Sequence, residues 1–258
     1  MDRKRMEPSC VEPRRISAGL CALASVLLFS FAAPAAESKP VATFACNEFP
    51  PHKMQAAPDG QPGYDVEILR EAFRRAGREI KVMYFPWKRA LETAKSGRVD
   101  GLCSCSRRPE RDAYFIYSDV MGDVGVGVFK KPGLTRKLAV IADLKGLSVG
   151  VVRAYNLHDE LVDLGMAPVA VGGDEQGLRM LLLGRIDAFV TFRDTGKYLL
   201  RRIATETPIA YSEFHAAPYF ACFSKASPDA EARAATFNAG LAAMRADGVY
   251  DAILARYR

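Results

Sequence analysis

A chain of 258 residues, 49% of them hydrophobic, can fill one large globular core or two small ones. Its formal net charge of +6 is scattered, with doublets such as Lys130-Lys131 and Arg201-Arg202 rather than a basic stripe, which argues against a nucleic-acid surface. After the N-terminal region no second long apolar run occurs, so the remainder reads as a soluble protein.

At the N-terminus, Arg3, Lys4, Arg5, Arg14 and Arg15 form a basic leader. Residues 16–33 are apolar and small, and Ala33-Pro34-Ala35 fits a small-x-small cleavage site. This layout predicts a secretory signal peptide over residues 1–35, with Met6 as a second candidate start. The apolar run is short for a bilayer span of ~20 residues.

Residues 41–46 form a short apolar strand, and the Pro/Gly-rich residues 47–63 a loop. Over residues 64–76, Val66, Leu69, Ala72, Phe73 and Ala76 share one helical face, and Gly77 is the stop signal. Residues 79–85 read as a strand, 88–95 as a helix and 99–105 as a third strand. Strand–helix–strand–helix–strand is the pattern of a parallel α/β sheet. The pattern then repeats: strand 147–152, helix 156–164, strand 168–171, helix 174–183. Gly184-Arg185-Ile186-Asp187-Ala188 opens a further strand and echoes Gly97-Arg98-Val99-Asp100-Gly101.

Two similar α/β lobes follow. Residues 122–130 cross between them, residues 219–224 return, and residues 228–257 are helical, with Phe237, Leu241, Met244 and Ile253 apolar. Two crossings make the first lobe discontinuous: 36–126 with 217–258 in lobe 1, and 127–216 in lobe 2. A cleft and a hinge lie between them.

Beyond the leader the cysteines are Cys46, Cys103, Cys105 and Cys222. An oxidising compartment permits disulfides. On a regular strand Cys103 and Cys105 point to the same face and do not readily bond each other. Either can pair with Cys46 or Cys222 on a neighbouring strand. Cys103-Ser104-Cys105 lacks the two-residue spacer of zinc and thioredoxin sites, and His52, His158 and His215 are the only histidines, so no metal site is expected.

Residues 85–119 carry the binding chemistry. A helix runs into a Ser-Gly turn, a short apolar strand follows, and a Ser-rich loop opens on Pro109-Glu110-Arg111. Hydroxyls, free backbone N–H groups and one guanidinium therefore gather at the mouth of a parallel sheet, where a small carboxylate binds. Arg111 can hold a carboxylate through two parallel hydrogen bonds.

This stretch resembles the bacterial periplasmic solute-binding proteins of family 3, which serve polar amino-acid uptake. The shared order is a Trp-containing segment (Phe85-Pro86-Trp87), a Ser-Gly-x-x-Asp turn (residues 96–100), a Ser loop, and a Glu-Arg pair ending near Tyr117-Ser118-Asp119. The resemblance covers essentially the whole mature chain. It implies a type II periplasmic binding protein fold: two Rossmann-like lobes joined by two crossing strands, with the ligand cleft between them.

By the same resemblance, Arg111 matches the carboxylate-binding arginine, and Ser104 and Ser106 match the loop that lines the site. Trp87 and Phe49 match aromatics that stack on the ligand, with Tyr64 nearby. Asn47 ends the first strand, where some relatives place a polar contact. In lobe 2, Arg153 and Tyr155 occupy the turn at the helix N-terminus that relatives build from small residues. Relatives hold the ligand's ammonium with an Asp. Here Phe192 stands at that position and the next acid is Asp194, which departs from the amino-acid pattern.

The implied function is a non-enzymatic periplasmic protein. It captures a small carboxylate-bearing solute, amino-acid-like in character, and delivers it to an inner-membrane ABC permease as a monomer. No cofactor, metal or nucleic acid is implied. Two alternatives share the fold. One is a prephenate-type (cyclohexadienyl) dehydratase, for which Glu48, Asp194 and Glu213 are the available acids. The other is the ligand-binding component of a sensory system.

Overall fold

The computed structural model describes residues 41–56, 60–153, 155–203 and 207–257. The leader and its cleavage site lie outside the described residues. Among the described residues, no helix is long and apolar enough to cross a membrane.

Strand β1 (Ala42–Cys46) is buried at four of its five positions, as expected of a strand covered on both faces. Helix α1 (Tyr64–Arg75) follows, then β2 (Ile80–Tyr84), α2 (Trp87–Lys95) and β3 (Gly101–Ser106). Both β2 and β3 run parallel to β1. A short strand β4 (Phe115–Tyr117) precedes the long β5 (Gly122–Lys130). The second half repeats the alternation: β6 (Val149–Val152), α3 (Asn156–Asp163), β7 (Val169–Val171), α4 (Asp174–Leu182) and β8 (Ala188–Phe192). Then come α5 (Arg193–Ile203), β9 (Ala210–Ser224), α6 (Ala230–Ala246) and α7 (Val249–Ala255).

All strands join one sheet in the order β2-β1-β3-β9-β5-β8-β6-β7, with β4 also on β9. This is the expected fold: two α/β halves joined by two crossing strands. The crossings β5 and β9 are antiparallel to each other from Gly122/Tyr219 to Lys130/Ala210. Past that pair β9 continues along β3 to Phe223. On the β1–β3 side, Phe44, Phe73, Phe223 and Phe237 fill one core, and Ala90, Leu102 and Phe115 fill another. On the β6–β8 side, Val128, Val151 and Val190 fill one core, and Phe129, Leu178 and Phe189 another.

The sequence reading misses parts of this architecture. Strand β9 starts nine residues before the expected 219–224 segment. Residues 210–218 lack apolar alternation and are half to fully exposed, so their extended state comes from pairing with β5. Helix α5 goes unread because Gly196 sits inside it. There a Cβ would lie 2.1 Å from Phe129 Cε2, so the glycine lets the helix pack directly on the Phe129 ring. The terminal helical segment is two helices, broken at Gly248 with φ 80°, a backbone conformation that suits glycine.

The face assignment of the cysteines is corrected by a β-bulge. Between Leu102 and Cys105 the register of β3 against β9 shifts: Leu102 pairs Cys222, but Cys105 pairs Phe220. One extra residue on β3 breaks the two-residue alternation. Cys103 therefore joins the core under α1 and Cys105 joins the core under α2. Two disulfides result, Cys46–Cys103 and Cys105–Cys222, with Cα–Cα distances of 5.2 and 6.2 Å. Each joins the 103/105 pair to a neighbouring strand, as expected.

The two cross-links close separate loops, with sequence separations of 57 and 117. In the chain-entropy account they are worth about 4 and about 5 kcal/mol in turn. Replacing Cys105 and Cys222 together by Ala should lower the urea-unfolding free energy by about 5 kcal/mol while leaving far-UV circular dichroism native. An unchanged unfolding midpoint would show that the bond adds nothing to stability.

Candidate functional site

The parallel strands β1, β2 and β3 end side by side, with Cys46 opposite Tyr84 in the register. Ligands of open α/β sheets bind at this edge. The loop after β1 folds back on itself through paired backbone bonds between Phe49 and Lys53, each 2.9 Å. That fold buries His52 and Lys53 to 2% and 4% exposure.

His52 lies against the carboxylate of Asp65, which is fully buried in the first turn of α1, and Lys53 reaches it by way of Ser104. Tyr219 on β9 donates to Asp65 Oδ1 at 2.8 Å, and Ser104 on β3 donates to Oδ2 at 2.7 Å. Lys53 Nζ donates to Ser104 Oγ at 2.9 Å. His52 Nδ1 lies 3.4 Å from Asp65 Oδ2, and its Nε2 lies 2.6 Å from the Tyr64 hydroxyl. Burial pushes the Asp65 carboxyl upward, but His52, Lys53 and the Ser104 hydrogen bond outweigh it and hold it below the ordinary carboxylate value. Burial pulls the Lys53 ammonium down to about 8, with Asp65 opposing. A buried charge set is tolerated only when paired in this way.

Arg111 ends a single 3-10 turn, Pro109–Arg111, just past β3. Its Nη1 donates to the Ser106 carbonyl at 3.0 Å, and its guanidinium lies 5.3 Å from the Trp87 ring centroid. Trp87 opens α2 directly after β2. Arg111 is half-buried and, among the described residues, makes no ion pair. Burial first, and then the charge of Arg108, lower its proton affinity.

Across the cleft, the turn after β6 presents Tyr155 and the end of β8 presents Phe192. The Tyr155 hydroxyl donates to Asp174 Oδ2 at 2.6 Å, and Thr191 donates to Asp174 Oδ1. Phe49 from the first half meets this wall. Its ring centroid is 5.0 Å from Phe192 and 6.5 Å from Tyr155, both edge-on, and Tyr155 is 5.0 Å from Phe192. Beneath, Phe49 stacks on His52 at 4.7 Å.

Beside the crossings, Arg193 at the start of α5 holds three acids: Asp194 at 3.0 Å, Glu213 on β9 at 3.0 Å and Asp123 on β5 at 3.1 Å. The Asp194 hydrogen bond leads the interactions that raise its proton affinity well above the ordinary arginine value.

The residues singled out in the sequence fall into three groups. Arg111, Ser106 and Trp87 come together at the β3 edge. Phe49 and Tyr155 meet Phe192 across the cleft, and Asn47, half-buried, donates to the Glu48 carbonyl next to this loop. Tyr64 and Ser104 lie in the buried network with their hydroxyls engaged. Arg153 is exposed past β6, and Asp194 is bound to Arg193. Sequence reasoning misses Lys53, His52, Asp65, Tyr219 and Arg193. Asp65 follows Tyr64 at a helix start, where an acidic residue ordinarily reads as a solvated first-turn charge; nothing local signals its burial.

The sequence profile of the bacterial extracellular solute-binding proteins, family 3, matches residues 42–258. The L-cystine-binding protein TcyA of Bacillus subtilis (strain 168) is 27% identical over 137 residues, 53% of this chain and 50% of TcyA. The aligned part of the chain thus spans about half the length of that curated relative. Among solved structures, a histidine kinase sensor domain with similarity to periplasmic binding proteins superposes with TM-score 0.71 at 25% identity, covering 85% of this chain and 96% of that one. The ancestral amino-acid-binding protein AncCDT-1, a precursor of cyclohexadienyl dehydratase, superposes with TM-score 0.66 at 20% identity, covering 83% and 95%.

The buried lysine has a pH signature. Its proton affinity is depressed on folding, so between pH 8 and 10 the unfolded chain holds more protons at this site and the Lys53 contribution to stability rises with pH. For an ordinary value of 10.5 falling to about 8, the gain over that window is about 2 kcal/mol. In urea-unfolding series the stability of the wild type relative to Lys53→Met should rise by about this amount across the window, because the buried tyrosines titrate alike in both. Parallel pH profiles for the two proteins would refute the buried charge.

Proposed function

The chain belongs to the bacterial extracellular solute-binding proteins of family 3, and from that premise we propose that it captures a small carboxylate-bearing solute by closing its two halves over it. In this reading the protein works in the periplasm as a monomer and hands the solute to an inner-membrane ABC permease. The lobes divide at 36–126 with 217–258 against 127–216, and motion is hinged on the crossing strands.

One observation carries the reading. The half-buried Arg111 guanidinium is braced by the Ser106 carbonyl and the Trp87 ring and has no acid partner among the described residues. A guanidinium fixed in this way is preorganised for a carboxylate, and closure of an aromatic wall over it strengthens the pairing by excluding water. Ser106 and the turn after it supply backbone N–H groups, and Phe49, Tyr155 and Phe192 supply an apolar lid.

The acids considered for a dehydratase are occupied. Asp194 and Glu213 bind Arg193, and Glu48 accepts the backbone N–H of Gln55 at 2.9 Å. A binding role is therefore preferred to catalysis. Similarity to a sensor domain favours one second reading, in which the liganded form is read by a separate receptor instead of a permease.

A thermal-shift screen of the refolded mature protein against amino acids, dipeptides and small organic acids should give a carboxylate hit by mass action. Arg111→Ala should then weaken that ligand at least about a hundredfold by calorimetry, with the unfolding midpoint of the free protein little changed. Unaltered affinity in the variant would sink the role of Arg111.

A further inference from the structure

Helix α3 begins beside Tyr155 at the cleft and ends at Asp163, about 12 Å further along its axis. At that far end lies an open groove of about 480 Å³. Its floor is apolar. Val140 and Ile141 come from the start of the 3-10 turn Ile141–Leu144, Leu164 from the end of α3, and Phe214 from β9. Val140 and Leu164 are 55% and 41% exposed.

The backbone holds these side chains in place. Asp143 accepts the N–H groups of Ala139 and Val140 at 2.8 and 3.0 Å. Helix α3 stops in a Schellman turn. Gly165 has φ 75°, its N–H donates to the Val162 carbonyl at 2.8 Å, and the Met166 N–H donates to that of Leu161 at 3.1 Å. Phe214 is the extra residue of a β-bulge, since Val126 pairs His215 while Gly127 pairs Glu213. A bulge re-aims a side chain. Here Phe214 packs against the core of Val126 and Val128 and borders the groove.

The rim carries charge of one sign. Glu160 and Asp163 line the groove from the last turn of α3, which holds no Lys or Arg. The negative end of the helix dipole disfavours acids there. Among the described residues Asp163 makes no ion pair, and the Glu160 carboxylate takes only the Asn156 amide, at 3.1 Å. The helix therefore gains no stability from these two charges, and their field is open to a cation from outside. An exposed apolar floor with a polar rim has the anatomy of a protein interface.

We propose that this groove docks an amphipathic helical segment of a partner protein. Its apolar stripe lies on Val140, Ile141, Leu164 and Phe214, and a Lys or Arg at the border of the stripe meets Glu160 and Asp163. Charge decides against two other occupants. A two-fold contact with a second copy sets the same acid rim on both sides of the interface, and an anionic lipid surface meets like charge. Docking here is independent of which solute the cleft takes.

The test uses two helical peptides of about 14 residues, four turns. One has a Leu stripe bordered by Lys, and the other has Glu in place of each Lys. The chain is net positive, so long-range attraction favours the Glu peptide, and a preference for the Lys peptide reports the groove. By calorimetry the Lys peptide should bind at least about tenfold more tightly. Leu164→Asp should weaken it about tenfold or more, and Asp163→Lys should abolish the preference. Both side chains are exposed, so the melting temperature of the free variants should be little changed. Hydrogen exchange in the complex should slow at residues 140–144, 160–166 and 213–215.

Binding of neither peptide, equal or tighter binding of the Glu peptide, or undiminished binding in Leu164→Asp would overturn the helical occupant. So would protection confined to the cleft loop at 47–53. A dimer in sedimentation velocity that Leu164→Asp dissolves would give the groove to a second copy instead.

Discussion

The buried carboxylate of Asp65 ties together four pieces of the chain. The loop after β1 reaches it through His52 and, by way of Ser104, through Lys53; β3 reaches it through Ser104 and β9 through Tyr219, while α1 carries it. Removing any one donor would leave a charge in the protein interior without full compensation, which costs several kcal/mol. The rim of the cleft therefore inherits its rigidity from a polar centre below it. Phe49 stands on His52, and the start of the Arg111 turn follows the strand that carries Ser104. The disulfides act on the same strand from both faces, so the Cys103–Cys105 segment is fixed by two covalent bonds and one hydrogen-bonded hydroxyl.

The crossing strands serve a different need. They must be long enough to belong to both halves, and β9 manages this with a stretch that is poorly buried and weakly apolar. Such a segment is extended because its partner β5 is extended. Gly125 on β5 allows the Arg193–Glu213 pair to lie directly on the strand: a Cβ there would come 2.3 Å from Glu213 Oε2 and 3.0 Å from Arg193 Nη1. The ion cluster and the strand thus share one narrow space at the junction of the halves.

Much of this was legible in the sequence because burial and periodicity agree there. The strands at 41–46, 79–85 and 147–152 and the helices between them obey apolar patterns that the tertiary structure then uses. The unread parts are those where tertiary context overrides local preference. Residues 210–218 carry no strand signal of their own. Gly196 reads as a helix breaker and is in fact a contact point. The bulge in β3 exchanges the face of every residue after it, and no composition rule announces one. At the candidate site, the grouping of Arg111, Ser106 and Trp87 was visible through their order along the chain. Lys53, Asp65 and Tyr219 were not, because a buried polar network is defined by partners far apart in sequence.

The ring contacts of Phe49 with Tyr155 and Phe192 have a bearing on any affinity measured for this protein. They join the two halves. If the solute binds between them, as the proposed closure has it, it reaches its place only in molecules where those rings have parted, and the observed dissociation constant is then the intrinsic one divided by the parted fraction. Smaller side chains at the rim could then tighten binding without touching the solute, simply by making the receptive form more common.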